Sequence, residues 1–257
     1  MKKAAILSIS GGLDSTCLLM TLLAKGYEVK AYSFKYGQKH VIELEKVQKN
    51  IKFLQDKGFS INHQIIDLTS AFNESTSSLS SFSGVEIPEG SYMEERMKST
   101  VVENRNVIFA SILFGKALAW ANKEERDVEI FLGIHAGDHA IYPDCTPESR
   151  EACEYAFKIS NWNSERVFYQ APFVNIDKAG VLKEGVKAME SLGFKEEEVM
   201  FILSNTHTCY NPSSDGLSCG KCGSCNERIL AFYENGLIDP VPYQEPWEIV
   251  LRRAKGE

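Results

Sequence analysis

The residues whose types and spacing point most directly to chemistry form one short run, Ser8-Ile9-Ser10-Gly11-Gly12-Leu13-Asp14-Ser15-Thr16. An apolar stretch from Ala4 to Ile9 stops at Ser10, and the apolar-rich Cys17 to Leu23 follows Thr16. That order predicts a strand, a tight loop and a helix. Gly11 and Gly12 lack a Cβ and tolerate positive φ, so the loop backbone can come close to an anion. Ser10, Ser15 and Thr16 add hydroxyl donors. The helix start adds unpaired N–H groups at the positive end of its dipole. The expected chemistry is phosphate binding.

The loop lacks the Lys of a Walker A motif and the glycine spacing of a dinucleotide-binding turn. Ser10-Gly11-Gly12-Leu13-Asp14-Ser15 instead resembles the PP-loop of the ATP pyrophosphatases. The resemblance implies an enzyme that breaks ATP between its α and β phosphates and adenylates an oxygen of its substrate. The bland alternative is a glycine turn between a strand and a helix.

A second constellation lies near the C-terminus, where Cys209-x9-Cys219-x2-Cys222-x2-Cys225 places two overlapping Cys-x2-Cys units among Gly216, Gly220 and Gly223. Thiolates on tight turns can converge on a tetrahedral Zn²⁺, and four sulfurs close its shell as a structural site does. An iron–sulfur cluster and disulfides are the other two readings. Cys17, Cys145 and Cys153 are scattered.

Strands alternating with helices must position these groups. Strands are expected at Ala4–Ile9, Glu28–Phe34, Ile61–Asp67, Val128–Gly133 and Val167–Ala171, and helices at Gln38–Gln55, Val107–Asn122, Pro147–Ile159 and Val181–Leu192. The charges of Gln38–Gln55 read as a solvated face. The fold expected is α/β: a doubly wound, mostly parallel sheet of the HUP-like PP-loop type over residues 1–200. Residues 201–257 form a C-terminal zinc-binding segment packed on it. In such a sheet ligands lie at the carboxyl ends of the strands, which places adenine near Phe34 and Tyr36. The loop after the fourth strand carries His135, Asp138, His139, Tyr142, Asp144 and Cys145, a density of polar groups that reads as a substrate loop. His135 and His139 could be metal ligands on a helix, but Gly137 and Pro143 argue against one there. Cys145 is either a nucleophile or a small buried hydrophobe. Arg105 stands just before a helix, free for phosphate or carboxylate or else paired with Glu103. Lys178, one residue after the helix-start candidate Asp177, is placed against the helix dipole, which an anion facing it would explain. Residues 68–100 show only weak periodicity, and the serine-rich 75–83 reads as a loop.

The 257 residues carry a net charge of −7, which argues against a broad basic surface for nucleic acid. No apolar run is long enough to span a bilayer, and Met1-Lys2-Lys3 leads straight into the first strand, so neither a membrane segment nor a signal peptide is expected. The cysteine cluster in such a chain is read as cytoplasmic metal chemistry.

Taken together with Tyr36-Gly37-Gln38-Lys39-His40, Asn104-Arg105-Asn106, Tyr142-Pro143-Asp144-Cys145, Asp177-Lys178-Ala179 and Thr208-Cys209-Tyr210-Asn211, the loop and the cysteine signature ending at Arg228 resemble the 7-cyano-7-deazaguanine synthase family. The resemblance runs nearly end to end. It implies ATP-dependent conversion of 7-carboxy-7-deazaguanine and ammonia to the nitrile through adenylated carboxylate and amide intermediates, with structural zinc and a homodimer. It implies catalytic roles for Asp14, Ser15, Arg105 and Lys178, with Asp14 toward Mg²⁺. ATP contacts are expected from Ser8, the loop residues Ser10 to Thr16, Phe34, Tyr36, Arg105 and Gly133. Substrate contacts are expected from His135, Asp138, Tyr142, Asp144 and Lys178, and metal ligation from Cys209, Cys219, Cys222 and Cys225. The stretch Ala136 to Ile141 departs from the family's common form. A ligase of an anti-phage system, joining the adenylated carboxydeazaguanine to a protein amine, is therefore the main alternative. Other PP-loop activities (tRNA sulfur transfer, GMP or NAD synthesis) and a zinc-containing interaction module are the remaining readings.

Overall fold

Ala4 to Ser8 is apolar on both sides of the chain, as a strand covered on both faces must be. Ala5 and Leu7 enter one core, and Ala4 and Ile6 enter the other. The computed structural model describes residues 2–90 and 95–257. In it β1 (Ala4–Ser8), β2 (Glu28–Lys35), β3 (Ile61–Asp67), β4 (Val128–Phe131) and β5 (Val167–Gln170) form one sheet of order β3-β2-β1-β4-β5, every neighbouring pair parallel. The expected doubly wound sheet is thus present. Its order reverses between β1 and β4, and that switch point opens a crevice at the strands' carboxyl ends.

Helices α1 (Leu13–Ala24) and α2 (Ile42–Asp56) pack on one face, and α3 (Arg105–Glu124) packs on the other. The short α4 (Pro147–Ile159) precedes β5, and α5 (Lys178–Ser191) lies against α1. The α1–α5 approach is close: a Cβ on Gly185 would stand 2.3 Å from the Cys17 Sγ. The chain continues through α6 (Glu196–Ser204), α7 (Gly223–Glu234) and α8 (Trp247–Lys255), none of which the sequence pattern had marked. Among the described residues no helix is long and apolar enough to cross a membrane.

One element differs from expectation for a clear reason. Helix α2 starts at Ile42 rather than Gln38, because the Gln38 side chain closes a turn: its Oε1 accepts from Tyr36 N–H at 2.9 Å and its Nε2 donates to Phe34 O at 3.1 Å. The serine-rich stretch is a loop, as expected, but a closely packed one. Ser77, Ser78 and Ser80 are buried, Ser78 N–H donates to Ser99 O at 2.7 Å, and Leu79 N–H donates to Ser77 Oγ at 3.1 Å. Side chains do there what a ladder does elsewhere, so no period appears in the sequence. Residues 91–94 of that segment lie outside the described residues.

The C-terminal segment is braced internally by Arg228, which is 1% exposed. Its Nε and Nη2 donate to both Asp239 carboxylate oxygens at 2.6 and 2.9 Å, and its Nη1 donates to Thr206 and Thr208 hydroxyls at 2.7 and 3.0 Å. Removing one partner of a buried pair strands the other charge. Arg228→Met is expected to cost about 3–5 kcal/mol in urea unfolding, and an unchanged midpoint would contradict this bracing role.

Candidate active site

The phosphate loop joins β1 to α1 at the switch point. Gly11 has φ +96°, and a Cβ there would stand 2.2 Å from the Glu43 carbonyl oxygen. Its missing side chain thus serves the approach of α2, and Gly11, an expected ATP contact, does not line the cleft. Gly11→Ala is expected to lower the melting temperature by at least ~2 °C, since the left-handed backbone alone costs about 1–2 kcal/mol. A variant melting with the wild type would remove that explanation. Gly12 is the N-cap at φ −75°, ordinary backbone, and no side chain among the described residues caps the first turn of α1. Asp14 and Ser15 of that turn line the cleft, and no side chain among the described residues competes for their N–H groups. Ser10 and Ser15 brace the loop: their hydroxyls lie 3.1 Å apart, Ser10 N–H donates to Ser15 Oγ at 3.2 Å, and Gly12 N–H donates to Ser10 Oγ at 3.1 Å. Gly133, just past β4, lets that strand end meet the helix start, since a Cβ there would lie 3.2 Å from Ser15 N.

The cleft over this loop encloses about 200 Å³. Of the expected site residues, Ser8, Ser10, Gly12, Asp14, Ser15, Phe34, Tyr36, Arg105, Gly133, Asp138, Tyr142 and Lys178 line it. Others do not. The Leu13 side chain is wholly in the core. Thr16 is 1% exposed and its hydroxyl is buried away from the cleft, so it is no donor to a ligand here. Phe34 lines the cleft, but its ring face is taken by Phe109, stacked at 3.9 Å. Asp144 serves α3 instead of the cleft, its Oδ2 accepting Asn106 N–H in the first helical turn at 3.2 Å. His135 stands behind the wall, 1% exposed, accepting Gly137 N–H at 3.1 Å with its Nδ1 and turning Nε2 toward Asp138 and Asp14 at 3.6 and 3.9 Å.

Lys178 has the anions its odd placement called for. Its Nζ lies 3.2 Å from Asp14 Oδ2 and 3.3 Å from Glu227 Oε2. Burial opposes its charge, but Asp14, Glu227 and Asp138 outweigh burial and raise its pKa. Burial likewise works to raise the Asp14 carboxyl, and Lys178 and His135 overcome it and hold it below its usual range. Asp14 Oδ1 is buried without a hydrogen-bond partner among the described residues. One free carboxylate oxygen beside a phosphate loop fits Mg²⁺, which binds through one or two carboxylates and the substrate's phosphates.

Arg105 is the first residue of α3, and its Nη1 donates to the Tyr36 hydroxyl at 3.3 Å. Glu103, its expected alternative partner, instead accepts from Ser75 Oγ and Thr76 Oγ1, each at 2.6 Å. Burial, with Asp138 and Asp144 nearby, pushes the Cys145 thiol up, and Asn106 Nδ2 donates to its sulfur at 3.2 Å. A group kept as the thiol is not a nucleophile.

Sequence reasoning assigned no site role to three residues of this neighbourhood, His40, Glu43 and Glu227, whereas Thr206-His207-Thr208 stood out as a run that could shape the substrate pocket. Burial, His207 and Arg105 push His40 down to about 3. Burial, partly offset by Gln38 and Arg105, pushes Glu43 up to about 8. His207 Nε2 donates to Cys209 O at 2.7 Å, and burial pushes it down to about 4. A signal existed for Glu43, which shares the buried stripe of α2 with Val47 and Leu54.

The four C-terminal cysteines converge. Their sulfurs all lie within 4.8 Å of one another, all four residues are buried, and Cys219 and Cys225 sulfurs are 3.9 Å apart. Zn–S bonds of about 2.3 Å give a tetrahedron with edges of about 3.8 Å, so the set fits zinc. Backbone N–H groups of Cys219, Lys221 and Cys222 point at the Cys209 and Cys219 sulfurs at 3.2–3.4 Å, as suits thiolates.

A parallel sheet of this order with a Ser-Gly-Gly-x-Asp-Ser loop at its switch point defines an α/β protein of the PP-loop class. The chain belongs to the QueC family: the model described as queuosine biosynthesis protein QueC matches residues 4–236. Its relatives include 7-cyano-7-deazaguanine synthase 1 of Colwellia psychrerythraea, 40% identical over 95% of this chain and 100% of that protein. The synthase of Marinomonas is 39% identical over 95% and 100% of the two chains, and that of Methanoregula boonei 40% identical over 93% and 99%.

Proposed function

We propose that this protein makes 7-cyano-7-deazaguanine from 7-carboxy-7-deazaguanine and ammonia, using ATP as the activator of the substrate oxygen. The observation that carries the reading is one cleft with two separate cationic devices. One is the phosphate loop with Lys178. The other is Arg105, which has no carboxylate within ion-pair distance among the described residues. Such a cleft suits a nucleotide's phosphates together with a second anion, the substrate carboxylate.

A carboxylate resists attack by an amine because its oxygens are poor leaving groups. Transfer of AMP to one oxygen releases pyrophosphate and makes that oxygen leave as AMP when ammonia attacks, giving the amide and releasing a proton. A second ATP adenylates the amide oxygen, and loss of AMP and two protons leaves the nitrile. Arg105 holds the carboxylate, and its planar fork suits that geometry. Lys178 and the N–H groups at the start of α1 stabilise charge developing on the departing pyrophosphate. Ser15 keeps the loop closed through Ser10. Asp14 would hold Mg²⁺ with ATP, where the ion would neutralise phosphate charge. Asp138 and Tyr142 contact the heterocycle, and the cysteine set holds zinc structurally. The boundary near residue 200 separates the ATP-binding unit from the metal-holding segment. The same reading expects a cytoplasmic homodimer.

Isotope transfer tests the activation step. With both carboxylate oxygens of the substrate labelled by ¹⁸O, AMP is expected to acquire a single labelled oxygen. Label found in phosphate instead would replace adenylation by phosphorylation.

A further inference from the structure

We propose that His40 and Glu43, at the start of α2, read the donor edge of the heterocyclic substrate, taking the ring N–H and exocyclic amine of a guanine-type base. This inference rests on the deazaguanine reading above and assigns the residues that would select that base.

Both residues line the cleft, yet their side chains are only 7% and 8% exposed. The His40 Nδ1 is buried and has no hydrogen-bond partner among the described residues. Its Nε2 faces Glu43 Oε2 at 3.8 Å, and Glu43 Oε1 accepts from Gln38 Nε2 at 3.0 Å. Gln38 is itself tied to Tyr36 N–H and Phe34 O, so the Glu43 carboxyl is held in one orientation. The Glu43 carbonyl abuts Gly11, which fixes the wall relative to the phosphate loop. The rings of Tyr36, Phe109 and Tyr210 complete the surroundings, with the Tyr210 ring centred 5.6 Å from that of His40.

A buried polar atom without a partner is costly, and a ligand that brings the missing donor removes that cost. Kept neutral by burial, His40 has one N–H and one lone pair. In the tautomer that turns Nε2–H to Glu43, the lone pair is on Nδ1. In that tautomer the two residues give the wall a nitrogen acceptor from His40 and carboxyl oxygens from Glu43. A guanine-type edge presents a ring N–H next to an amine with two hydrogens, enough donors for both. The edge of adenine offers one amine flanked by ring acceptors, which suits this wall poorly. Asp144, one of the expected substrate contacts, turns Oδ2 to the α3 backbone. His40 and Glu43 fill that role.

Calorimetric titration of the full-length protein with 7-carboxy-7-deazaguanine and with its counterpart lacking the 2-amino group tests the assignment. The wild type is expected to prefer the amine-bearing ligand by about 10- to 100-fold, the range for a hydrogen bond whose loss strands a buried partner. Glu43→Met and His40→Leu are each expected to reduce that preference below about threefold, while affinity for a non-hydrolysable ATP analogue changes by less than that. The preference is a ratio on one preparation, so partial unfolding of a variant cancels. If either variant keeps the full preference, the inference fails. It also fails if the ATP analogue loses as much affinity as the heterocycle, since the wall would then read the nucleotide's base. A wild type that binds neither heterocycle overturns the deazaguanine reading itself, and this inference with it.

Discussion

Replacing Lys178 by alanine is expected to lower AMP formation by about 100- to 1,000-fold, the usual loss when one preorganised electrostatic group is removed from a transition state. Lys178 is 6% exposed and balances two carboxylates at once, Asp14 at 3.2 Å and Glu227 at 3.3 Å. Its place in the first turn of α5 works against the helix dipole, so its position is maintained by those anions and by the cleft it faces. Without it, burial pushes the Asp14 carboxyl up with less opposition, and Asp14 becomes a poorer partner for a cation. The change therefore removes one positive charge from the phosphate site and weakens the anion beside it. Single-turnover measurement of AMP, with melting followed in parallel, checks this. Wild-type turnover in a folded Lys178→Ala protein would remove the lysine from the chemistry.

The second large effect is expected at the cysteine set. Cys222→Ser should release the metal and lower the melting temperature steeply, because structural zinc supplies folding energy of about 10–16 kcal/mol in small metal-folded peptides. Cys222 is also the N-cap of α7, the helix that carries Glu227 toward Lys178 and Arg228 into its pair with Asp239. Loss of the metal thus loosens one wall of the cleft from a distance. Metal content by mass spectrometry and a melting curve decide the point: about one zinc retained per chain with unchanged melting would contradict the structural role. Strong visible absorbance in the wild type would replace zinc by an iron–sulfur cluster.

Local chemistry was legible in the chain, and chemistry assembled from distant segments was much less so. The phosphate loop is one contiguous run, so its strand, turn and helix follow from residue types alone. The four cysteines span few residues, so spacing sufficed to expect convergence. Lys178 announced itself by being in the wrong place for a helix start. Asp144 shows the difficulty: in a loop, a carboxylate that accepts from a neighbouring helix start and one that faces a ligand look alike. His40 and Glu43 come from a segment whose charges read as a solvated face until the packing is seen, and Glu227 from a helix that the sequence pattern does not mark. Glu43 is the instructive case: a charged residue in register with Val47 and Leu54 is either a broken stripe or a buried group with a task. The serine-rich residues 75–83 hid their order because serine hydroxyls, not a repeating ladder, satisfy several of their backbone N–H groups.

The most direct test of the central claim is to incubate the wild-type protein with 7-carboxy-7-deazaguanine, ATP, Mg²⁺ and ammonium, then identify the heterocycle by mass spectrometry and count AMP. The account predicts the nitrile, with about two AMP released for each. AMP formed while the heterocycle ends as anything other than the amide or nitrile would contradict ammonia as the acceptor. No AMP above the blank, and no change in the heterocycle, would contradict the account as a whole.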